Sequence, residues 1–571
     1  MNWLRYSLFA AIFAVVYLLF LEWNKFDERN DVQIPAPLAG APVQSIDNPV
    51  VISTTTAPSL DGELPSVVVP QNTTDQILPG VIAVTSQQYI EVHTDTFNVT
   101  IDTNGGDIIR TTLPQYLAKI DKEGSAFTLL DRTNAQTFVA QSGLLGPNGT
   151  DAAGVRPRFS SEQVVYELDD ESNTLSVDLY LDTQDAKIIK RFTFNRDSYL
   201  INIDYIVENI SDKTWQATLY GQMLRNDFKV EGGGGIGMKP FLGAAITTPE
   251  KNYEKLSLDD IDDKDCGFFN AEGQACKLQH TGGWIAMVQH YFVNAWIPQA
   301  DEMNNYRMDK IASKGLYILE YHGPFKKIAP GQSGTLSTSF YSGPKIIKNL
   351  EGISPHLDLT IDFSWLWFIA KPLHIALLFI QSFVGNWGVA IILLTLCIKV
   401  VFFYPSAISY RSMAKMRKVQ PLMAELKERM GDDKQKMQVE LMKLYKTEKV
   451  NPFGGCLPIL MQMPVFIALY WSLMESVELR HAPFFLWITD LSVKDPFYLL
   501  PLLMGATMFI QQKLNPTPPD PMQAKVMQMM PIFFTALFLF FPSGLVLYWV
   551  VNNTLSITQQ YIITRQIEKA D

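Results

Sequence analysis

The sequence predicts a two-part membrane protein: an α-helical bundle of six spans with both termini in the cytoplasm, joined to a large all-β domain on the outer side. Three observations lead there. Residues 24–355 are polar and strand-like while residues 361–563 are dominated by apolar runs, so the mean hydropathy of +0.05 averages two unlike halves. Residues 386–406, NWGVAIILLTLCIKVVFFYPS, are apolar over about the twenty residues that a bilayer core requires of a helix. Charge is also uneven. Residues 407–452 hold eleven Lys/Arg against six Asp/Glu, a net +5, which leaves −16 for the rest of a chain whose total is −11. Short cytoplasmic loops collect Lys and Arg, so this segment marks the inner side. Its basic residues are interleaved with Glu and Met at helical spacing, which is not a nucleic-acid signature.

The chain of 571 residues begins with MNWLRYSLFAAIFAVVYLLFLEW, where Arg5 precedes an apolar run that no small-x-small cleavage pattern closes. Residues 1–23 therefore read as an uncleaved signal-anchor with its N-terminus inside. Residues 24–80, rich in Pro, Ser, Thr, Val and Asp without helical period, read as an extended linker. Between 81 and 345 the pattern alternates, as in YIEVHTDTFNVTI from Tyr89 and TLSVDLYL from Thr174. Many short strands broken by Gly, Asn and Asp predict an antiparallel sandwich. The glycines Gly232 to Gly235 lack the Lys-Ser/Thr of a phosphate loop and read as a plain loop. Cys266 and Cys276 are placed to pair in an oxidising compartment, and the spacing leaves the pairing open. Cys397 and Cys456 are expected to be small buried thiols.

Residues 361–384 are apolar but carry Lys371-Pro372, His374 and Gln381. A span here would put the +5 segment outside, so these residues are expected to lie on the outer surface as an interfacial helix, Trp365 and Trp367 at headgroup level. Residues 386–406 form the second span. Lys399 is its anomaly, since an ammonium at mid-membrane costs about 2.5–3.5 kcal/mol. It lies about 18 Å along the helix from Trp387, with Thr395 one turn before it. Two readings compete: a lysine facing a wet cavity, or one snorkelling to the headgroups. Residues 407–452 are a cytoplasmic helical hairpin, with Asp432 or Asp433 capping the second helix and a Met-rich stripe including Met416. Such a stripe packs helix on helix or docks partners. Four more spans follow at 455–474, 496–512, 526–541 and 545–563, with a basic-flanked loop at 513–525 and a cytoplasmic tail at 564–571.

The spans hold Lys399, Thr395, Gln462, Gln512, Asn552 and Thr554 within or near membrane depth, where polar groups must pair or meet water. No Gly-x-x-x-x-Gly-Lys-Ser/Thr, His-Glu-x-x-His, Gly-x-Ser-x-Gly or metal-ligand cluster is found in the sequence, so no enzyme, cofactor or ATP use is expected.

Asn451-Pro452-Phe453-Gly454-Gly455-Cys456-Leu457-Pro458, Gln462-Met463-Pro464, Val477-Glu478-Leu479-Arg480 and Phe541-Pro542-Ser543-Gly544-Leu545-Val546-Leu547-Tyr548 resemble, in order, the YidC/Oxa/Alb family of membrane protein insertases. Met413-Ala414-Lys415-Met416-Arg417 and Gly431-Asp432-Asp433-Lys434-Gln435 extend the resemblance, which is dense over 361–565. It implies the Gram-negative type, with a periplasmic super-sandwich and multi-pass residence in the bacterial inner membrane. It also implies a hydrophilic groove open to cytoplasm and lipid, with Lys399 at the position of a basic residue that is Arg in many relatives. Substrate helices are expected to slide into lipid past Met461, Phe466, Phe533 and Trp549, and Met416, Arg417, Asp432 and Lys434 are expected to belong to a docking hairpin. The implied partners are nascent membrane proteins, the Sec translocon with its accessory subunits, ribosome or targeting factors, and the lipid bilayer. The rival readings are a solute transporter with Lys399 as coupling charge and a membrane-anchored carbohydrate-binding protein.

Overall fold

The computed structural model describes residues 88–571 except 119–123, 134, 152–154, 229–239, 250, 264–269, 273–274, 431–433, 449, 451–456, 517–520 and 570–571. The expected signal-anchor, the linker and the Gly232–Gly235 run lie outside the described residues, as do Cys266, Cys456 and Asp432.

Alternation of apolar and polar residues becomes two packed sheets, one of 12 strands and one of 9. Strand Leu200–Asn209 buries every second side chain, including Ile201, Ile203, Tyr205 and Val207, because successive Cβ atoms in a strand point to opposite faces. Its antiparallel neighbours are Ala186–Asn195 and Ser333–Pro344. The core between the sheets includes Trp215, Trp284 and Trp296, each 1% exposed or less. Cys276 is disulfide-bonded.

A charged network also sits inside the sandwich. Arg156 bonds Asp107, Asp151 and the Tyr220 hydroxyl. The Lys190 ammonium donates to the carbonyls of Gly105 (3.0 Å), Gly106 (2.8 Å) and Ser142 (3.2 Å). Gly105 and Gly106 have φ of +84° and +64°, and a Cβ on Gly106 would lie 2.9 Å from the Lys190 stem. Only glycine lets this turn wrap the ammonium so closely. Burial drives the Lys190 ammonium down to about 7 even with Asp107 nearby.

Eight helices of the C-terminal half organise the rest: α1 Trp367–Val384, α2 Trp387–Val401, α3 Phe403–Met430, α4 Lys434–Thr447, α5 Leu457–Glu475, α6 Leu499–Leu514, α7 Pro521–Phe538 and α8 Ser543–Lys569. The expected span 386–406 is shorter and broken: α2 ends at Val401, and α3 leaves at 69° to it. The hairpin's first helix therefore starts at Phe403 rather than Ala407. Among the described residues, one helix, Ser364–Val384, is long and apolar enough to cross a membrane by itself, a second only as the bent α2–α3 pair, and Ala524–Phe538 is apolar but shorter. Cys397 is exposed, against expectation. The buried face of α2 runs through Ala390, Ile391, Leu394, Thr395, Ile398 and Lys399, which turns residues 396–397 and 400–401 outward.

The sandwich is joined to the C-terminal end of α5. Lys345 and Glu475, each 2% exposed, form a 2.6 Å ion pair. The His290 ring bonds the Met474 carbonyl through Nε2 at 2.9 Å, and Arg480 lies over the rings of Phe127 and Phe292. Burial, aided by the Lys345 charge, pushes the His290 ring down to about 3, so it is neutral and donates to that carbonyl.

Candidate functional site

Helix α2 starts on a side-chain cap, the Asn386 Oδ1 accepting from the Val389 N–H at 3.0 Å. From there the helical period of 3.6 puts Ile391, Thr395 and Lys399 in one buried row. The Thr395 hydroxyl donates to the Ile391 carbonyl at 2.6 Å, so it is satisfied within its own helix. Lys399 occupies the last turn, where the exposed carbonyl ends favour a cation. Its side chain is buried, 7% exposed, and its Nζ donates to Ser556 Oγ at 2.7 Å. Among the described residues no carboxylate lies within ion-pair distance of Lys399.

The partner helix α8 is the polar spine of the bundle. Ser556 passes its own proton to the Asn552 carbonyl at 2.7 Å and also bonds Tyr410. Gln462 of α5 donates to Asn552 Oδ1 at 3.4 Å. Asn553 reaches Thr507 of α6 at 3.3 Å, and Gln560 donates to the Leu514 carbonyl and Asn515 Oδ1 at 3.1 and 3.0 Å. Lys399, Gln462 and Asn552 are thus brought together through Ser556. Gln512 is half-buried with its Oε1 unpartnered. Thr554 is exposed and turns its hydroxyl to Val550 of its own helix, so it does not join this set. Sequence reasoning missed Ser556, Tyr410, Asn553 and Gln560. A signal for two of them existed: Asn552, Ser556 and Gln560 repeat every four residues, one stripe of a helix.

Of the four slide residues, two meet. Phe466 packs edge-on to Trp549 at 4.5 Å between ring centroids, and Trp549 also contacts Phe538 at 5.4 Å. The Trp549 Nε1 is buried without an acceptor. Met461 is half-buried on α5, whereas Phe533 is 63% exposed on α7. In the hairpin, Met416 packs with Val419, Met423, Leu441, Leu444 and Tyr445, the helix-on-helix role of a Met stripe. Arg417 donates to the Lys513 carbonyl at the end of α6, at 2.7 Å, where a cation suits the helix C-terminus. Lys434 opens α4. Among the described residues no group of three or more His, Cys, Asp or Glu could hold a metal ion.

Two family models divide the chain within α1. The model of the YidC periplasmic domain matches residues 89–376, and that of the 60Kd inner membrane protein matches residues 379–570. The Membrane protein insertase YidC of Saccharophagus degradans (strain 2-40) is 56% identical over 571 residues, all of both chains. The chain belongs to the YidC family of membrane protein insertases. The Cellvibrio japonicus member is 51% identical over 571 residues, again all of both, and the Alcanivorax borkumensis member 52% over 506 residues, 85% of each. A solved active YidC insertase with its first transmembrane domain resolved matches over 84% of this chain and 93% of its own, at TM-score 0.37 and 18% identity, too low for any geometric comparison. Membership makes this chain an inner-membrane insertase with a periplasmic β-rich domain rather than an enzyme, and its substrates are membrane proteins entering the lipid bilayer.

Proposed function

We propose that this insertase moves substrates through a polar groove in the bundle, centred on Lys399 and operating without ATP. The observation that carries the reading is the state of Lys399: a buried ammonium resting on a neutral hydroxyl, with no carboxylate to neutralise it among the described residues. Such a cation attracts one or two Asp/Glu in the outer tail of an incoming segment. Gln462, Gln512 and Asn552 hydrate that tail from three other helices, while Thr395 and Thr554, their hydroxyls bonded within their own helices, flank it. The substrate's apolar helix then passes to lipid by way of Met461, Phe466, Phe533 and Trp549. Burial of that helix drives the step, and the membrane potential adds about 2.3 kcal/mol per tail charge per 100 mV. Lys in place of Arg offers a point charge instead of a planar fork, so attraction does not depend on bidentate geometry.

The topology that fits is six spans, multi-pass, with both termini inside and α1 on the periplasmic surface. The +5 charge of residues 407–452 supports that orientation. Support for the interfacial placement of α1 comes from its contacts. Its His374 bonds Ser476 at 3.1 Å, and past its other end Asn386 bonds the carbonyls of Pro483 and Phe484 at 3.4 and 3.3 Å, so both parts meet one outer loop. The finer partners of this reading are the Sec translocon with its accessory subunits, and ribosomes or targeting factors at the hairpin bearing Met416, Arg417, Asp432 and Lys434.

The test is depletion of the protein in cells, following insertion of a short acidic-tailed membrane protein by protease accessibility. Rescue is compared for the intact chain, Lys399→Ala and deletion of residues 82–340. The expected pattern is failed insertion on depletion, rescue by the deletion and poor rescue by Lys399→Ala. Full rescue of the acidic-tailed substrate by Lys399→Ala sinks the charge-attraction step.

A further inference from the structure

The loop joining α5 to α6 is built rigidly and yet presents its largest apolar side chains outward. Leu491 N–H bonds the Ala482 carbonyl at 3.0 Å, Phe484 N–H bonds Ile488 at 3.0 Å, and Ile488 N–H bonds Phe485 at 3.2 Å, which closes a tight hairpin with Phe485 and Leu486 at its tip. Asp495, 1% exposed, locks the second arm by accepting from the Trp487 indole (3.0 Å) and the N–H groups of Phe497 (3.0 Å) and Leu500 (2.7 Å). The arm is fastened to the start of α8 as well, through Ser543 N–H to Val493 at 2.7 Å and Gly544 N–H to Leu491 at 2.9 Å.

One side of this loop is core. Phe484 lies so close over Gly388 that a Cβ there would be 2.0 Å from its ring, and Trp487 and Ile488 pack into the bundle. The other side is bare: Phe485 is 59% exposed, Leu486 87% and Phe497 69%. Leu486 and Tyr498 hold left-handed backbone, φ +58° and +56°, a conformation that bulky side chains rarely adopt and that here aims the tip away from the core. The bonds from Asn386 set the tip beside the end of α1, whose Phe379 and Phe383 are 65% and 74% exposed. Lys494 places its ammonium 5.9 Å from the Tyr498 ring centroid, a long stem with a charged end of the kind that snorkels to phosphates.

We infer that Phe379, Phe383, Phe485, Leu486 and Phe497 form an apolar collar that penetrates the periplasmic leaflet of the inner membrane. Lipid is the occupant because the patch continues the outward apolar face of α1 and α2, in a segment matched by the inner-membrane family model, and because its rim carries a snorkelling lysine. A rigid wedge beside the top of α2 fixes that helix at a set depth, and with it Lys399.

The test attaches an environment-sensitive NBD probe to Leu486→Cys in a Cys397→Ala, Cys456→Ala background, with the chain in nanodiscs of phosphatidylethanolamine and phosphatidylglycerol. Val155→Cys, at a sandwich residue 71% exposed, serves as the aqueous comparator. The expected result at 486 is a blue-shifted emission, loss of iodide quenching and gain of quenching by lipids spin-labelled near the headgroup end of the acyl chain. Iodide quenching at 486 equal to that at 155 overturns the proposal. Phe497→Cys reads the other arm in the same way should the tip variant fail to fold. A loop found in water leaves the Lys399 groove untouched, so the two readings fail separately.

Discussion

The sandwich and the bundle both bury cations, and they treat them oppositely. In the sandwich, Arg156 is clamped between Asp107 and Asp151, and Lys190 sits beside them on three carbonyls. In the bundle, Lys399 rests on one serine. A buried charge that is fully paired is a structural fixture, because removing one partner strands the other in a low dielectric. A buried charge left on a neutral acceptor retains most of its capacity to attract an anion. The contrast separates a region whose buried arginine is paired with carboxylates from one whose buried lysine is not.

The largest expected effect breaks the fixture. Arg156→Ala strands Asp107 and Asp151 and should cost the sandwich about 3–5 kcal/mol, read as lost amide-exchange protection in strand Thr137–Leu145. Lys399→Ala should do the reverse: little change in bundle stability, since no carboxylate is stranded, with a severe loss of insertion for acidic-tailed substrates. Replacing the tail's acidic residues by their amides should erase the difference between variant and parent. A stability loss at Lys399→Ala as large as at Arg156→Ala would collapse the distinction.

The joint between the regions should respond to pH. The folded His290 lies near 3, below its ordinary 6.5, so the stability it contributes is complete above about 6.5 and is lost as pH falls toward 3. The slope is about 1.4 kcal/mol per pH unit in that window. Amide-exchange protection factors around Met474, corrected for the intrinsic pH dependence of exchange, should therefore fall between pH 6.5 and 5, and His290→Gln should flatten the response. The smallest effect on insertion sharpens the site. Ser556→Ala removes the hydroxyl that accepts from Lys399 and should cost about 1.5–3 kcal/mol in bundle stability, the range for a hydrogen bond to a charged group. Insertion of acidic-tailed substrates should drop less than with Lys399→Ala, because the cation remains.

Much of this was legible in one dimension. Alternation with period two in the first half and apolar rows with period 3.6 in the second report the solvent each element faces, and they specified element type but not element ends. The family motifs around Asn451–Pro458 and Phe541–Tyr548 pointed to the insertase family, and the relatives bear that out at full length. The row Thr395–Lys399 was visible by spacing. The residue that meets Lys399 was not, and neither was the outward turn of Cys397 nor the end of α2 at Val401.

What the sequence determined by itself was therefore element type, the two-part architecture and the presence of a misplaced cation, since each depends on neighbours a few residues apart. Tertiary structure decided the rest. Lys399 and Ser556 are 157 residues apart, and their meeting depends on the rotation of α2 against α8 and on the 69° bend at Phe402. Helix rotation is set by how whole faces pack, a sum over contacts distant in sequence that no local pattern encodes.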